Sequence, residues 1–305
     1  MILRQAQDDV RSWYARHGRT TLPWRIVRDP YYTLVSEFML QQTQVERVIP
    51  KFETFIARFA DIAALARASA GDVLRAWQGL GYNARAVRLH ETAGMVADRF
   101  GGVMPSQTHL LRQLPGVGPY TAAAIRAFGF DLDDAPLDTN IRRIMHRVHY
   151  GLEYPSRAGQ RELDERARES AIPGAAHDWN SAMMDLGATI CTSRAPKCLI
   201  CPLREHCAAA PIDAAQLEAA RKEHAKTPSP QNAIPFERTT RFARGRIVDR
   251  LRALPPGQCI SLLDLHGDLH PLMPERSLED VGALVAILER DGLIARDGEA
   301  IALRE

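Results

Sequence analysis

Four of the five cysteines fall in one short window, Cys191, Cys198, Cys201 and Cys207, spaced Cys-x6-Cys-x2-Cys-x5-Cys. Thiolates that close in sequence can converge on one centre, and all-sulfur ligation suits an iron–sulfur cubane or a structural zinc. Zinc sites usually draw on two short cysteine pairs, whereas one loop with a wide first gap supplies every ligand here, which favours a cluster. No proline follows Cys207, so the run differs from that of bacterial ferredoxins and electron transfer is not its obvious use. Cys259 is left over and no leader segment is expected, which disfavours paired disulfides.

A second group of residues points to anion binding and acid chemistry. In Leu114-Pro115-Gly116-Val117-Gly118-Pro119-Tyr120-Thr121 a Gly-x-Gly hairpin precedes an alanine-rich helix. Backbone amides at such a turn suit a DNA phosphate, and Gly116 and Gly118 can take positive φ and let it approach. Asp138 then heads a segment carrying Arg142, Arg143 and Arg147. Glu37 lies within an apolar helix, where burial would raise its pKa and let it hold a proton near neutrality.

The elements that must position these groups are mainly helical. Tyr31–Gln41, Val45–Phe59 and Ala84–Phe100 carry apolar residues at helical spacing, and Ser106 is a candidate cap for a short helix at His109–Gln113. Met1 to His17 reads as an amphipathic helix rather than a targeting segment. Beyond the cysteines, residues 211–232 read as a helix fading into a linker. A basic helix from Arg241 follows, then helices at Leu262–His270 and Ser277–Arg290 and a hairpin turning at Asp297-Gly298, the order of a winged helix.

The chain has 305 residues, 46% of them hydrophobic, enough for two or three packed domains, and no apolar run of bilayer length. A net charge of +2 is too mild to identify a nucleic-acid partner by itself.

Taken together, the hairpin, Asp138 and the cysteine loop resemble the helix-hairpin-helix DNA glycosylases that carry a [4Fe-4S] cluster. Within them, Leu22-Pro23-Trp24-Arg25 and Ser36-Glu37-Phe38-Met39-Leu40-Gln41-Gln42-Thr43-Gln44-Val45 look like the adenine glycosylase (MutY) branch, and the likeness spans roughly residues 5–210. It implies a mainly α fold of two helical lobes, one at 20–130 and one built from 1–19 and 131–210 with the iron–sulfur loop. A linker at 211–232 and a small winged-helix-like domain at 233–305 complete the expected chain. The longer family members end instead in a Nudix-like domain that recognises 8-oxoguanine.

The resemblance further implies a monofunctional enzyme that flips adenine out of double-stranded DNA carrying a mismatch or oxidised guanine. Glu37 would be the acid and Asp138 the cation stabiliser, with Tyr120 and Asn140 hydrogen-bonding the carboxylates and the sugar edge. Tyr120 stands where strand-cutting relatives carry a lysine, so no lyase step is expected. Trp24 and Arg25 would line the base pocket, Gln42, Leu80 and Tyr82 would wedge the helix and meet the opposite base, and Thr43 would belong to the base-pocket and DNA-contact residues. Ser181, where relatives often have Gln or Glu, would face the adenine edge. Arg194, Lys197 and Arg204 would touch phosphates. A monovalent or calcium ion is expected at the hairpin, and a cytoplasmic, chromosome-associated monomer with no membrane partner completes the picture. Two rivals stay open. A thymine or uracil glycosylase is disfavoured by Gln41-Gln42 but kept alive by Ser181, and a cluster-bearing DNA sensor or regulator is disfavoured by the two intact carboxylates.

Overall fold

The computed structural model describes residues 4–225 and 234–305. Sixteen helices dominate the described residues. In chain order they are α1 (Arg4–His17), α2 (Pro23–Ile26), α3 (Pro30–Leu40), α4 (Val45–Arg58), α5 (Ile62–Arg67), α6 (Ala70–Ala76), α7 (Ala84–Phe100) and α8 (Thr108–Leu111). There follow α9 (Pro119–Ala124), α10 (Thr139–Tyr150), α11 (Gln160–Ser170), α12 (Ala176–Thr189), α13 (Ala214–Glu223), α14 (Thr240–Arg252), α15 (Leu262–Leu269) and α16 (Leu278–Arg290). None is long and apolar enough to cross a membrane among the described residues.

The chain divides into two compact units. One gathers Met1–Glu37, Pro105–Gln113 and Val117–Thr227, the other Phe38–Met104, Leu114–Gly116 and Pro228–Glu305. The stretch expected as one lobe, 20–130, is therefore shared between them. Of the expected linker, 226–232 lies outside the described residues. Residues 211–225 hold α13, started by the Asp213 carboxylate on the Gln216 amide and anchored by the fully buried Leu217.

In the first unit Val10, Trp13 and Tyr14 of α1 pack with Ile141, Ile144 and Met145 of α10, Leu163 of α11, and Trp179, Met183 and Leu186 of α12. Leu203 joins that core from the cysteine loop, and Cys191, Cys201 and Cys207 pack against it. Gly187 on α12 is required by this crossing, because a Cβ there would lie 2.6 Å from Asn140 Cβ on α10. At Gly129 a Cβ would stand 2.5 Å from Pro30 Cα, which brings the π-turn Ile125–Gly129 after α9 against the start of α3.

The second unit centres on Phe52, Phe55, Leu65, Leu74, Trp77 and Leu89, with Phe55 edge-on to Trp77 at 6.0 Å between ring centres. Its helices begin where the sequence offers oxygen acceptors: Asp61 receives the Ala64 amide and Ser69 the Asp72 amide. The C-terminal domain belongs to this unit. There Thr239 caps α14, Ser261 caps α15, and Ser277 with Asp280 forms a capping box at α16. β2 (Ile294–Asp297) and β3 (Ala300–Leu303) form the expected hairpin, and β1 (Ile260–Ser261) pairs antiparallel on the other side of β3, in the order β1-β3-β2. Two residues are too few to leave an alternation in the sequence. Ser106 caps nothing; α8 starts after Gln107 with no side-chain cap. Glu305 reaches back to the second unit's helices, accepting from Ser69 Oγ at 3.1 Å and Arg75 at 3.2 Å.

Replacing Gly187 by alanine should destabilise the protein by about 1–3 kcal/mol, the usual cost of overpacking a tight crossing. Chemical denaturation checks this, and an unchanged midpoint would mean that α10 and α12 part without cost.

Candidate active site and DNA-facing loops

Glu37, Tyr120 and Asp138 come together within the first unit. Glu37 is on α3, near its C-terminal end; the Tyr120 hydroxyl, on α9, hydrogen-bonds to its carboxyl. Burial first, and then the charge of Asp138, push the Glu37 carboxyl up to about 7 against the lowering effect of that hydrogen bond. Tyr120 is pushed well above its ordinary range by burial and by both carboxylates, so it stays a neutral donor.

Asp138 is the N-cap of α10. Its Oδ1 accepts from the Asn140 amide at 2.9 Å and the Ile141 amide at 2.7 Å, and its Oδ2 accepts from Asn140 Nδ2 at 2.8 Å. Burial raises its pKa, while these donors and the nearby Arg143 oppose the rise. The two carboxyls thus sit in contrasting settings: one desolvated beside a negative neighbour, the other held by donors that favour its ionised form.

Arg143 was legible only as part of a basic run. In the fold it ties the Asp138 segment to the cysteine loop, donating to Asn140 Oδ1 at 3.0 Å, Gly187 O at 2.6 Å and Cys191 O at 2.7 Å. One turn on, the fully buried Arg147 makes a two-pronged pair with Glu153 at 2.7 Å on both sides, and donates to Thr192 O at 2.8 Å and Cys191 Sγ at 3.5 Å. The Ala208 and Ala209 amides return to Val148 O and Arg147 O at 3.0 Å each.

The four cysteines, with Arg147, Ile190 and Arg204 among their neighbours, line one concavity that opens to solvent. None of the four is in a disulfide, and burial pushes Cys201 up to about 12 and raises Cys207. Among the described residues no group of three His, Cys, Asp or Glu side chains forms a metal site in this structure. Four soft sulfur donors lining one concavity nonetheless fit an all-thiolate cluster. Arg194, Lys197 and Arg204 are exposed around it.

Trp24 is buried, Arg25 is half-buried, and the guanidinium of Arg25 is committed to Asp185 at 2.8 and 3.1 Å. Asp185 also receives the Arg19 amide and side chain, and these partners hold its carboxyl below the usual range despite burial. Arg25, expected to line the base pocket, has its guanidinium held by Asp185. Ser181, expected to face the adenine edge, is fully buried on α12, its Oγ turned toward the Tyr14 hydroxyl without a hydrogen bond of normal geometry.

Of the two hairpin glycines, Gly116 takes a positive φ and Gly118 does not. Gly116 has φ +76° and lies so close to Phe38 that a Cβ would meet its ring at 2.9 Å. Gly118 is extended at φ −84°, ψ −178°, and a Cβ there would meet nothing within 4 Å, so its bareness leaves open space rather than relieving strain. Pro115 O is taken by Thr92 Oγ1 at 2.8 Å.

In the second unit Gln42 and Tyr82 are exposed residues at positive φ, +56° and +47°, a conformation that non-glycine residues adopt only when their surroundings enforce it. The enforcing group is Arg85. Buried on α7, it donates to Phe38 O, Met39 O and Gln41 O at 2.7 to 2.9 Å, to Leu80 O and Gly81 O at 3.1 Å, and to Thr43 Oγ1 at 3.3 Å. One guanidinium therefore fixes both loops. Leu80, expected as a wedge, is itself buried, leaving Gln42 and Tyr82 as the projecting groups.

Residues 35–169 match the HhH-GPD superfamily base excision DNA repair proteins. The adenine DNA glycosylase of Mycolicibacterium smegmatis is 37% identical over 298 residues, 95% of this chain and 96% of the relative. The chain belongs to the adenine DNA glycosylase family. The corresponding Mycobacterium tuberculosis enzyme is 36% identical over 302 residues, 96% of this chain and 94% of its own, so both mycobacterial alignments take in the C-terminal domain. The mouse family member, 38% identical, aligns with 67% of this chain and 41% of its own. Among solved structures a thermostable thymine-DNA glycosylase superposes with a TM-score of 0.61 at 28% identity, covering 67% of this chain and 95% of that one. An endonuclease III bound to DNA shares the fold at a TM-score of 0.56 and 19% identity, covering 73% and 97%.

Arg85→Lys should cost at least about 2 kcal/mol, because a point-like ammonium cannot serve carbonyls from two loops and leaves buried acceptors unmet. Urea unfolding measures it; wild-type stability in that variant would show that the loops hold themselves.

Proposed function

We propose that the protein excises adenine mispaired with 8-oxoguanine or guanine in double-stranded DNA, and acts as a monofunctional monomer. What carries the reading is the pair of neighbouring buried carboxyls with unlike partners, Glu37 held by the Tyr120 hydroxyl and Asp138 by the amides and side chain at the head of α10. With the adenine flipped out of the stack, Glu37 gives its proton to the purine as the N-glycosidic bond breaks, and the bonding electrons leave with the base. Asp138, kept charged by the α10 amides and Asn140, faces the oxocarbenium ion left on the sugar until water attacks it and yields an abasic site. Tyr120 holds the Glu37 carboxyl and has no amine with which to attack the sugar, so the strand is left uncut.

Gln42 and Tyr82, exposed and at positive φ, would fill the vacated stack, and the open amide face at Gly118 would suit a backbone phosphate. Trp24 would pack beside the base, with Arg25 and Asp185 supporting it from behind. Cys191, Cys198, Cys201 and Cys207 would hold a [4Fe-4S] cluster, which when bound supplies a cross-link between the two ends of the basic loop.

Duplexes carrying A·oxoG, A·G, T·G and U·G, treated with the protein and then with alkali, test the reading. Strand breaks are expected at adenine, with no adduct trapped by borohydride; cutting only at T or U overturns it. The rate should fall as pH rises through about 7, because Glu37 is raised from 4.5 and must be protonated to act. Glu37→Gln should lose about 10²- to 10⁴-fold in rate and that alkaline limb with it. A second check concerns the cofactor. The purified protein should be brown, with iron and sulfide in equal amounts, whereas colourless zinc-loaded protein would contradict the cluster.

A further inference from the structure

The basic helix α14 carries Arg241, Arg244, Arg246, Arg250 and Arg252, and its charge is almost entirely used within the fold. Arg244 pairs with Asp291, Arg246 and Arg252 with Asp249, and Arg250 with Asp268. Among the described residues Arg241 makes no such pair. It is exposed, and its guanidinium carbon lies 3.9 Å from the centre of the Tyr82 ring and 5.8 Å from that of Phe236, a residue 53% exposed.

Tyr82 is the strained aromatic of the 79–82 turn. Gly81 O receives Trp77 Nε1 at 3.2 Å and Arg85 at 3.1 Å, Tyr82 O receives the Arg85 amide at 2.9 Å, and Arg85 lies 5.5 Å from the ring. These bonds set the backbone but not the ring, which is 38% exposed and could swing. A guanidinium in van der Waals contact with the ring face supplies the missing restraint. A second tie lies next door, where Arg252 donates to Asn83 Oδ1 at 2.7 Å.

We infer that Arg241 is a positioning residue for Tyr82, and that through it the C-terminal domain sets the aromatic wedge that enters the DNA stack. The inference rests on the base-flipping reading above but not on which base is removed. An ordered ring loses less conformational freedom on insertion, and an exposed aromatic at a nucleic-acid surface gains its affinity by stacking.

The test uses the full chain and two duplexes, one with a tetrahydrofuran abasic analogue opposite guanine and one fully matched. Arg241→Leu should weaken binding to the abasic duplex about three- to thirtyfold, the range of one cation–π contact, and leave the matched duplex unchanged. Arg241→Lys should keep most of the preference. Tyr82→Ala should lose as much, and the double variant no more than Tyr82→Ala alone. Four results would overturn the inference: a wild-type protein blind to the abasic site, an Arg241→Leu variant with wild-type preference, equal weakening on both duplexes, or full additivity in the double variant. Because no base is excised in this assay, it stands apart from the adenine test. The melting temperature of each variant separates loss of fold from loss of the contact.

Discussion

Two neighbouring carboxyl groups, Glu37 and Asp138, are buried in the first unit with unlike partners, and the elements around them supply that difference. Desolvation alone would neutralise both. The asymmetry comes from backbone geometry: Asp138 ends an extended segment and begins a helix, so two amides and the Asn140 side chain converge on it, while Glu37 lies within α3 and receives only the Tyr120 hydroxyl. The charge retained on Asp138 then helps keep Glu37 protonated. The close crossing at Gly187 and the bonds of Arg143 hold the head of α10 in place.

Buried guanidinium groups play the part in the loops that hydrogen-bond ladders play in helices. Turns leave carbonyls that no helix satisfies: Arg85 gathers five, Arg143 takes Gly187 O and Cys191 O, and Arg147 takes Thr192 O beside its pair with Glu153. A planar cation with five donors suits that task, and desolvation is offset only because so many acceptors point at it. The cost shows at Arg85, whose pKa is lowered to about 10 by burial.

Patterns that repeat along the chain were legible in the sequence. The helical periodicity located α3, α4, α7 and the helices of the C-terminal domain, and the glycine hairpin, Glu37, Asp138 and the cysteines stood out by type and spacing. What stayed hidden was pairing across distance. Arg25 meets Asp185 160 positions away and Arg85 meets Phe38 O 47 positions away, and no local pattern announces either. For the same reason Ser181 looked available when the packing of α12 buries it, and the arginines of α14 looked like a surface charge although carboxylates from other elements meet them.

That last neutralisation bears on how such a protein would travel. Grip on any DNA sequence comes mainly from free cations displacing the counterions condensed on phosphates, and it weakens steeply with salt. A helix whose arginines are mostly matched internally would release few of those ions, so α14 would add little to the background hold on undamaged DNA. It can contribute to recognition of one site without slowing the search through all the others.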